Sequence, residues 1–97
     1  MENYFEINIK AILENVAIVR VAISSFVSNL DITIDDLMDI KTAVSEAVTN
    51  SIEHGYDLSE NDDNTVFVKA WINKKEEEYS VKIEVIDKGE GIENIEL

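Results

Sequence analysis

Two stretches of this 97-residue chain carry residue types that can do chemistry. In the first, Glu46 and Asn50 stand four positions apart within Ser45-Glu46-Ala47-Val48-Thr49-Asn50, a spacing that stacks both on one face of a helix. A carboxylate there can accept a proton from a hydroxyl or orient a water. An amide oxygen is a hard, neutral ligand suited to Mg2+, which takes oxygen donors and keeps several waters. The same pair also reads as the solvated side of an amphipathic helix. In the second stretch Asp87 precedes Gly89 and Gly91 in the spacing D-x-G-x-G, with Ile92 next. Glycine lacks a Cβ, so a flat ligand can approach the backbone closely, and the aspartate can accept a hydrogen bond from an exocyclic amine such as that of adenine. A plain turn built from Asp and Gly is the competing reading. No glycine precedes a Lys-Ser or Lys-Thr pair, and the third glycine of a dinucleotide fingerprint is missing, so neither of those phosphate loops is present.

The elements that must position these residues are legible from periodicity. Phe5, Ile7 and Ile9 alternate with polar residues, the period of a half-buried strand. From about Leu13 to Leu30 the spacing turns helical, with Val16, Val19, Ile23, Phe26 or Val27, and Leu30 on one stripe. Ile18, Val21 and Ala22 fall off that stripe, so the other side packs on a second element or serves a partner. Thr33, with Asp36 three residues on, announces a second helix. Leu37, Ile40, Val44, Ala47, Val48 and Ile52 mark its buried face, and Gly55 is its natural stop. Val66, Val68, Ala70 and Ile72, then Tyr79, Val81, Ile83 and Val85, predict an antiparallel hairpin. Trp71 and Tyr79 are expected to face each other across it. The order β-α-α-β-β implies an α+β fold, with both helices on one face of a mostly antiparallel sheet. Three strands or fewer make a narrow support for two long helices. The expectation is one domain over residues 1–97 that is part of a longer one or is completed by self-association.

Charge narrows the function. With 21 acidic and 8 basic side chains the formal net charge is −13, which repels phosphate backbones and anionic lipid and argues against direct nucleic-acid or membrane binding. Without cysteine there is neither a disulfide framework nor a cysteine-ligated zinc site. The most apolar stretch, Val16 to Ile23, is interrupted by Arg20 and is far too short to span a bilayer. Glu2 and Glu6 stand where a secretory signal needs positive charge, and a cytoplasmic location is expected. Arg20 is a scarce cation, read either as a local salt bridge or as an anchor for an acidic group of a partner. His54 reads as a helix-end residue, and the acidic run Asp57 to Asp63 as a solvated loop.

Taken together, Ser45-Glu46-Ala47-Val48-Thr49-Asn50-Ser51-Ile52-Glu53-His54-Gly55-Tyr56 and Ile86-Asp87-Lys88-Gly89-Glu90-Gly91-Ile92 resemble the N-box and first glycine box of the GHKL ATPase superfamily. The run Asp39 to Asn50, His54-Gly55-Tyr56, Arg20 and the stretch Ala22 to Leu30 are most similar to its anti-sigma serine kinases, in particular the sporulation branch. The resemblance covers nearly the whole chain. The ATP lid and second glycine box of that family have no counterpart here, which puts nucleotide binding by these residues alone in question. It implies a two-layer α/β sandwich, ATP/ADP and Mg2+ as cofactors, a homodimer, and two protein partners: a sigma factor and an anti-anti-sigma antagonist phosphorylated on serine. Glu46 would be the general base and Asn50 the holder of Mg2+. Asp87 would bind the adenine amine over a floor shaped by Gly89, Gly91 and Ile92, and Arg20 would meet the partner. The rival readings are a general-stress anti-sigma kinase, a non-catalytic dimerisation or binding module, and a histidine-kinase catalytic domain.

Overall fold

The computed structural model describes residues 2–54, 64–87 and 92–96. Strand β1 (Glu2–Lys10) leads through a single 3-10 turn (Leu13–Asn15) into helix α1 (Val16–Val27), followed by α2 (Ile34–His54), β2 (Thr65–Lys75), β3 (Glu78–Asp87) and β4 (Ile92–Glu96). The sheet has the order β1-β2-β3-β4 and every pairing is antiparallel. Both helices belong to the connection between β1 and β2.

Strict alternation divides the sheet into two faces. Ile9, Val66, Val68, Ala70, Ile72, Val81, Ile83 and Val85 are buried on one face. That face is covered by α1 and α2, which contribute Val19, Ile23, Val27, Ile40, Val44, Ala47 and Val48 to the same core. Phe5 reaches the ring of Phe26 at 4.7 Å and ties β1 to α1. α2 lies over β3, with lighter contact to β2 and β4. The opposite face carries Tyr4, Glu6, Phe67, Lys69, Trp71, Lys82 and Glu84, all exposed or half-buried, as in antiparallel sheets with one wet side.

Several expectations hold and several need correction. Thr33 caps α2 as read: its Oγ1 accepts a hydrogen bond from the Asp36 amide at 3.1 Å. The first helix is shorter than the span from Leu13 to Leu30. Its start is tightened into the 3-10 turn, where the Asn15 side chain donates to the Lys10 carbonyl. Its end closes at Val27, where the Ser28 amide and hydroxyl both turn back to the Ser25 carbonyl. A fourth strand, β4, extends the expected order to β-α-α-β-β-β. Trp71 and Tyr79 do not face each other: the register sets Trp71 against Lys82 and Lys74 against Tyr79, which puts the two rings on opposite faces. Trp71 packs instead on Tyr4, centroids 5.3 Å apart, with the Lys82 ammonium 5.4 Å from its ring. The Gly55 stop and the loop Asp57 to Asp63 lie outside the described residues.

Candidate functional site

Helix α2 sets the chemistry because its two sides differ so sharply. Ile40, Val44, Ala47, Val48 and Ser51 are buried toward the sheet, whereas Glu46 and Asn50 are exposed. Glu46 and Asn50 line one hollow of about 300 Å³ with the half-buried Ser45 and Thr49. Ser45 donates its hydroxyl to the Lys41 carbonyl at 2.7 Å, one turn back, which holds that side chain against the helix. The hollow thus presents oxygen donors of three kinds: a carboxylate, an amide and hydroxyls.

Asp87 is the last residue of β3, in register with Val66, and is 9% exposed. It continues the inward parity of Val81, Ile83 and Val85, so it sits on the sheet face that the helices cover. Among the described residues the buried polar side chains are Asp87 and Ser51, one on the strand over which α2 packs and one on α2's own buried stripe. Two polar groups in an otherwise apolar layer are a costly choice unless partnered. The structure therefore brings Glu46 and Asn50 together and sets Asp87 in the layer that α2 covers; among the described residues Asp87 is not on the wall of their hollow. Ile92 opens β4 opposite Ile86, and Gly89 and Gly91 lie outside the described residues. Ser51, Ser45 and Thr49 were given no role from sequence. The position of Ser51 on the buried stripe follows from its three- and four-residue spacing from Val48 and Ala47, but nothing in the sequence separates a functional hydroxyl from filler there.

No group of three or more His, Cys, Asp or Glu side chains among the described residues is arranged to hold a metal. The donors at the α2 hollow instead suit an ion held by one or two protein oxygens, with phosphate and water completing its shell, which is the usual binding mode of Mg2+. Asn50 is the side chain that fits this role, with Glu46 one turn away. Arg20 is exposed on α1 and lines a separate hollow with Ala17, Val21, Ser24 and Lys41. Among the described residues it makes no ion pair. His54 ends α2, exposed, with its Nε2 3.9 Å from a Glu53 oxygen. No helix among the described residues is long and apolar enough to cross a membrane.

A helical layer thus covers one face of an antiparallel sheet, with a carboxylate–amide pair exposed on α2 and a buried aspartate ending β3. Residues 9–96 match the histidine kinase-like ATPase domain, and the chain belongs to that family, with the GHKL type of α/β sandwich. Its curated relatives include the anti-sigma F factor of Clostridium beijerinckii, 50% identical over 95 residues that make up 98% of this chain and 62% of the relative. The anti-sigma F factor of Clostridium perfringens is 47% identical over 96 residues, 99% of this chain and 64% of the relative. That of Thermoanaerobacter pseudethanolicus is 45% identical over 94 residues, 97% and 61%. The chain spans less than two thirds of the length of these relatives.

Proposed function

We propose that this chain is the nucleotide-binding part of an anti-sigma serine kinase, acting in the cytoplasm. It holds a sigma factor and uses ATP to phosphorylate a serine of an antagonist protein. The observation that carries this reading is the Glu46–Asn50 pair lining one hollow on α2, in a chain of this ATPase family whose relatives bear the anti-sigma F factor name. Residues 1–97 are read as belonging to one domain, and a homodimer is part of the reading.

Phosphoryl transfer is mainly positioning and charge neutralisation. Glu46 takes the proton of the attacking serine hydroxyl as its oxygen bonds to the γ-phosphorus and the bond to the bridging oxygen breaks, releasing ADP. Asn50 is the residue that would hold Mg2+, whose charge, when it is bound, would offset that of the triphosphate. Asp87 accepts a hydrogen bond from the exocyclic amine of adenine and so selects the base, with Gly89, Gly91 and Ile92 forming the floor beneath it. Arg20, which lines a separate hollow, is the anchor for the protein partner. ATP and ADP then bias which partner is held, through their differential affinity for the two complexes.

The test is serine phosphorylation of the antagonist by the full-length protein. Glu46→Ala lowers the transfer rate by roughly 10²–10⁴, the usual worth of a positioned base, while ADP binding stays near wild type. Asn50→Ala weakens Mg2+-dependent nucleotide binding instead. A Glu46→Ala protein that phosphorylates at the wild-type rate refutes the assignment.

A further inference from the structure

Serines in and beside helices commonly turn their hydroxyls back onto the preceding turn of backbone, and three here do so. Ser24 donates to the Arg20 carbonyl at 2.8 Å, Ser28 to Ser25 at 2.7 Å and Ser45 to Lys41 at 2.7 Å. Ser51 differs. It is 6% exposed, on the buried stripe of α2 with Val44, Ala47 and Val48, yet its hydroxyl makes no hydrogen bond to any described residue. Among the described residues no fully enclosed side-chain nitrogen or oxygen lacks a partner, so the Ser51 oxygen keeps part of the little opening that this residue has. A hydroxyl buried this far without a partner is costly, and alanine would fill the same place in the helix without that cost.

The chain path sets Ser51 at the Asp87 end of the molecule. Lys10 pairs with Thr65 and Val66 with Asp87, so these residues mark one end of the sheet. α1 starts there, where the Asn15 side chain holds the Lys10 carbonyl, and runs back along β1 until Phe26 meets Phe5. α2 then reverses again: only residues 28–33 join the two helices, and Lys41 shares a hollow with Ala17 and Val21 of α1. The last turns of α2, with Ser51, therefore return to the end at which Asp87 closes β3, and both residues belong to the layer between α2 and the sheet.

We infer that Ser51 is a second base-reading residue of the nucleotide site, its hydroxyl donating to ring nitrogen N1 of adenine directly or through one water. The inference rests on the function proposed above, in which Asp87 accepts from the exocyclic amine. On the Watson–Crick edge of adenine that amine, a donor, stands beside N1, an acceptor, and such edges are read by hydrogen bonds. An ionised carboxylate only accepts, whereas a hydroxyl can donate, so Asp87 and Ser51 complement both atoms. Guanine reverses the pattern: its O6 accepts and its N1–H donates, which sets a carbonyl against the carboxylate. Buried polar groups left unpaired by the wrong ligand are what make a site of this kind selective.

The test compares ADP with 1-deaza-ADP, in which a C–H replaces N1, by isothermal titration into the full-length protein. Wild type binds ADP about tenfold more tightly than the analogue, the scale of one hydrogen bond to a buried group. Ser51→Ala weakens ADP by a similar factor and leaves 1-deaza-ADP within twofold of wild type, so the preference disappears. Urea unfolding without nucleotide reports on the fold: the Ser51→Ala midpoint equals or exceeds that of wild type, because the hydroxyl removed had no partner. If wild type does not prefer ADP to the analogue, or Ser51→Ala keeps the preference, the inference is overturned, while loss of ADP binding in Asp87→Asn still upholds the nucleotide reading. A Ser51→Ala protein with a lower midpoint and both affinities unchanged gives the hydroxyl to the fold and overturns the inference equally. Wild type that binds no ADP fails the nucleotide reading itself, and this inference with it.

Discussion

Glu46, Asn50, Ser51 and Asp87 differ less in type than in where the backbone puts them. Glu46 and Asn50 are set in solvent one turn apart, whereas Ser51 and Asp87 are buried where helix meets sheet. Tyr4 shows how far a single contact reaches. It donates a hydrogen bond to Glu6; that bond first, then partial desolvation and the charges of Glu6 and Glu84, hold its hydroxyl above the ordinary tyrosine value. The folded chain thus keeps this proton more tightly than the unfolded one. Its contribution to stability is complete below the unfolded pKa of about 10 and is lost as pH rises through the folded value. Near neutral pH that contribution is fully present and does not change with pH. A phenolate absorbance titration shows Tyr4 ionising above the ordinary tyrosine value, and Glu6→Gln lowers it. The chemical residues were readable where spacing alone decides the outcome, as for Glu46 and Asn50. The burial of Asp87 was implicit in the odd-numbered parity of Val81, Ile83 and Val85. The hydroxyl of Ser51 is silent in sequence, because a small residue on an apolar stripe also reads as filler.

At the scale of elements, the hairpin of β2 and β3 controls what each face displays. Lys75 pairs with Glu78 across a two-residue turn, Glu76–Glu77, and Glu76 holds φ at 59°. That left-handed conformation is unfavourable for a residue bearing a Cβ but is tolerated by asparagine. Glu76→Asn is therefore expected to stabilise the protein by about 0.5–1 kcal/mol, seen as a higher midpoint in urea unfolding; a lower midpoint contradicts the turn geometry. Thr33→Ala, which removes the α2 cap, costs about 0.5–2 kcal/mol in the same assay. The turn also explains the misplaced aromatic pair: hydrophobic alternation marks which residues point inward, but only the closing pair of the turn fixes which residue meets which. β4 was missed because Ile92 and Ile95 are three apart and show no period of two; its pairing with the backbone of β3 is what makes it a strand. The end of α1 at Val27 was blurred because Leu30 remains buried after the helix has closed.

The whole molecule is one helical layer on a four-stranded meander whose other face stays open to solvent. That architecture was legible almost entirely, because two apolar helix stripes and alternating strands leave few ways to cover one another. What sequence could not supply is the relative placement of distant parts: the α2 edge and the end of β3 lie about forty residues apart in the chain. The account stands on both serving one nucleotide. Titration of Mg-ADP into the 15N-labelled full-length protein, read amide by amide, tests this most directly. The account predicts that Ser45, Glu46, Thr49, Asn50 and Asp87 shift together along a single saturation curve and that Asp87→Asn removes the response on α2 as well. Shifts confined to one of the two regions, or an α2 response that survives Asp87→Asn unchanged, contradict it.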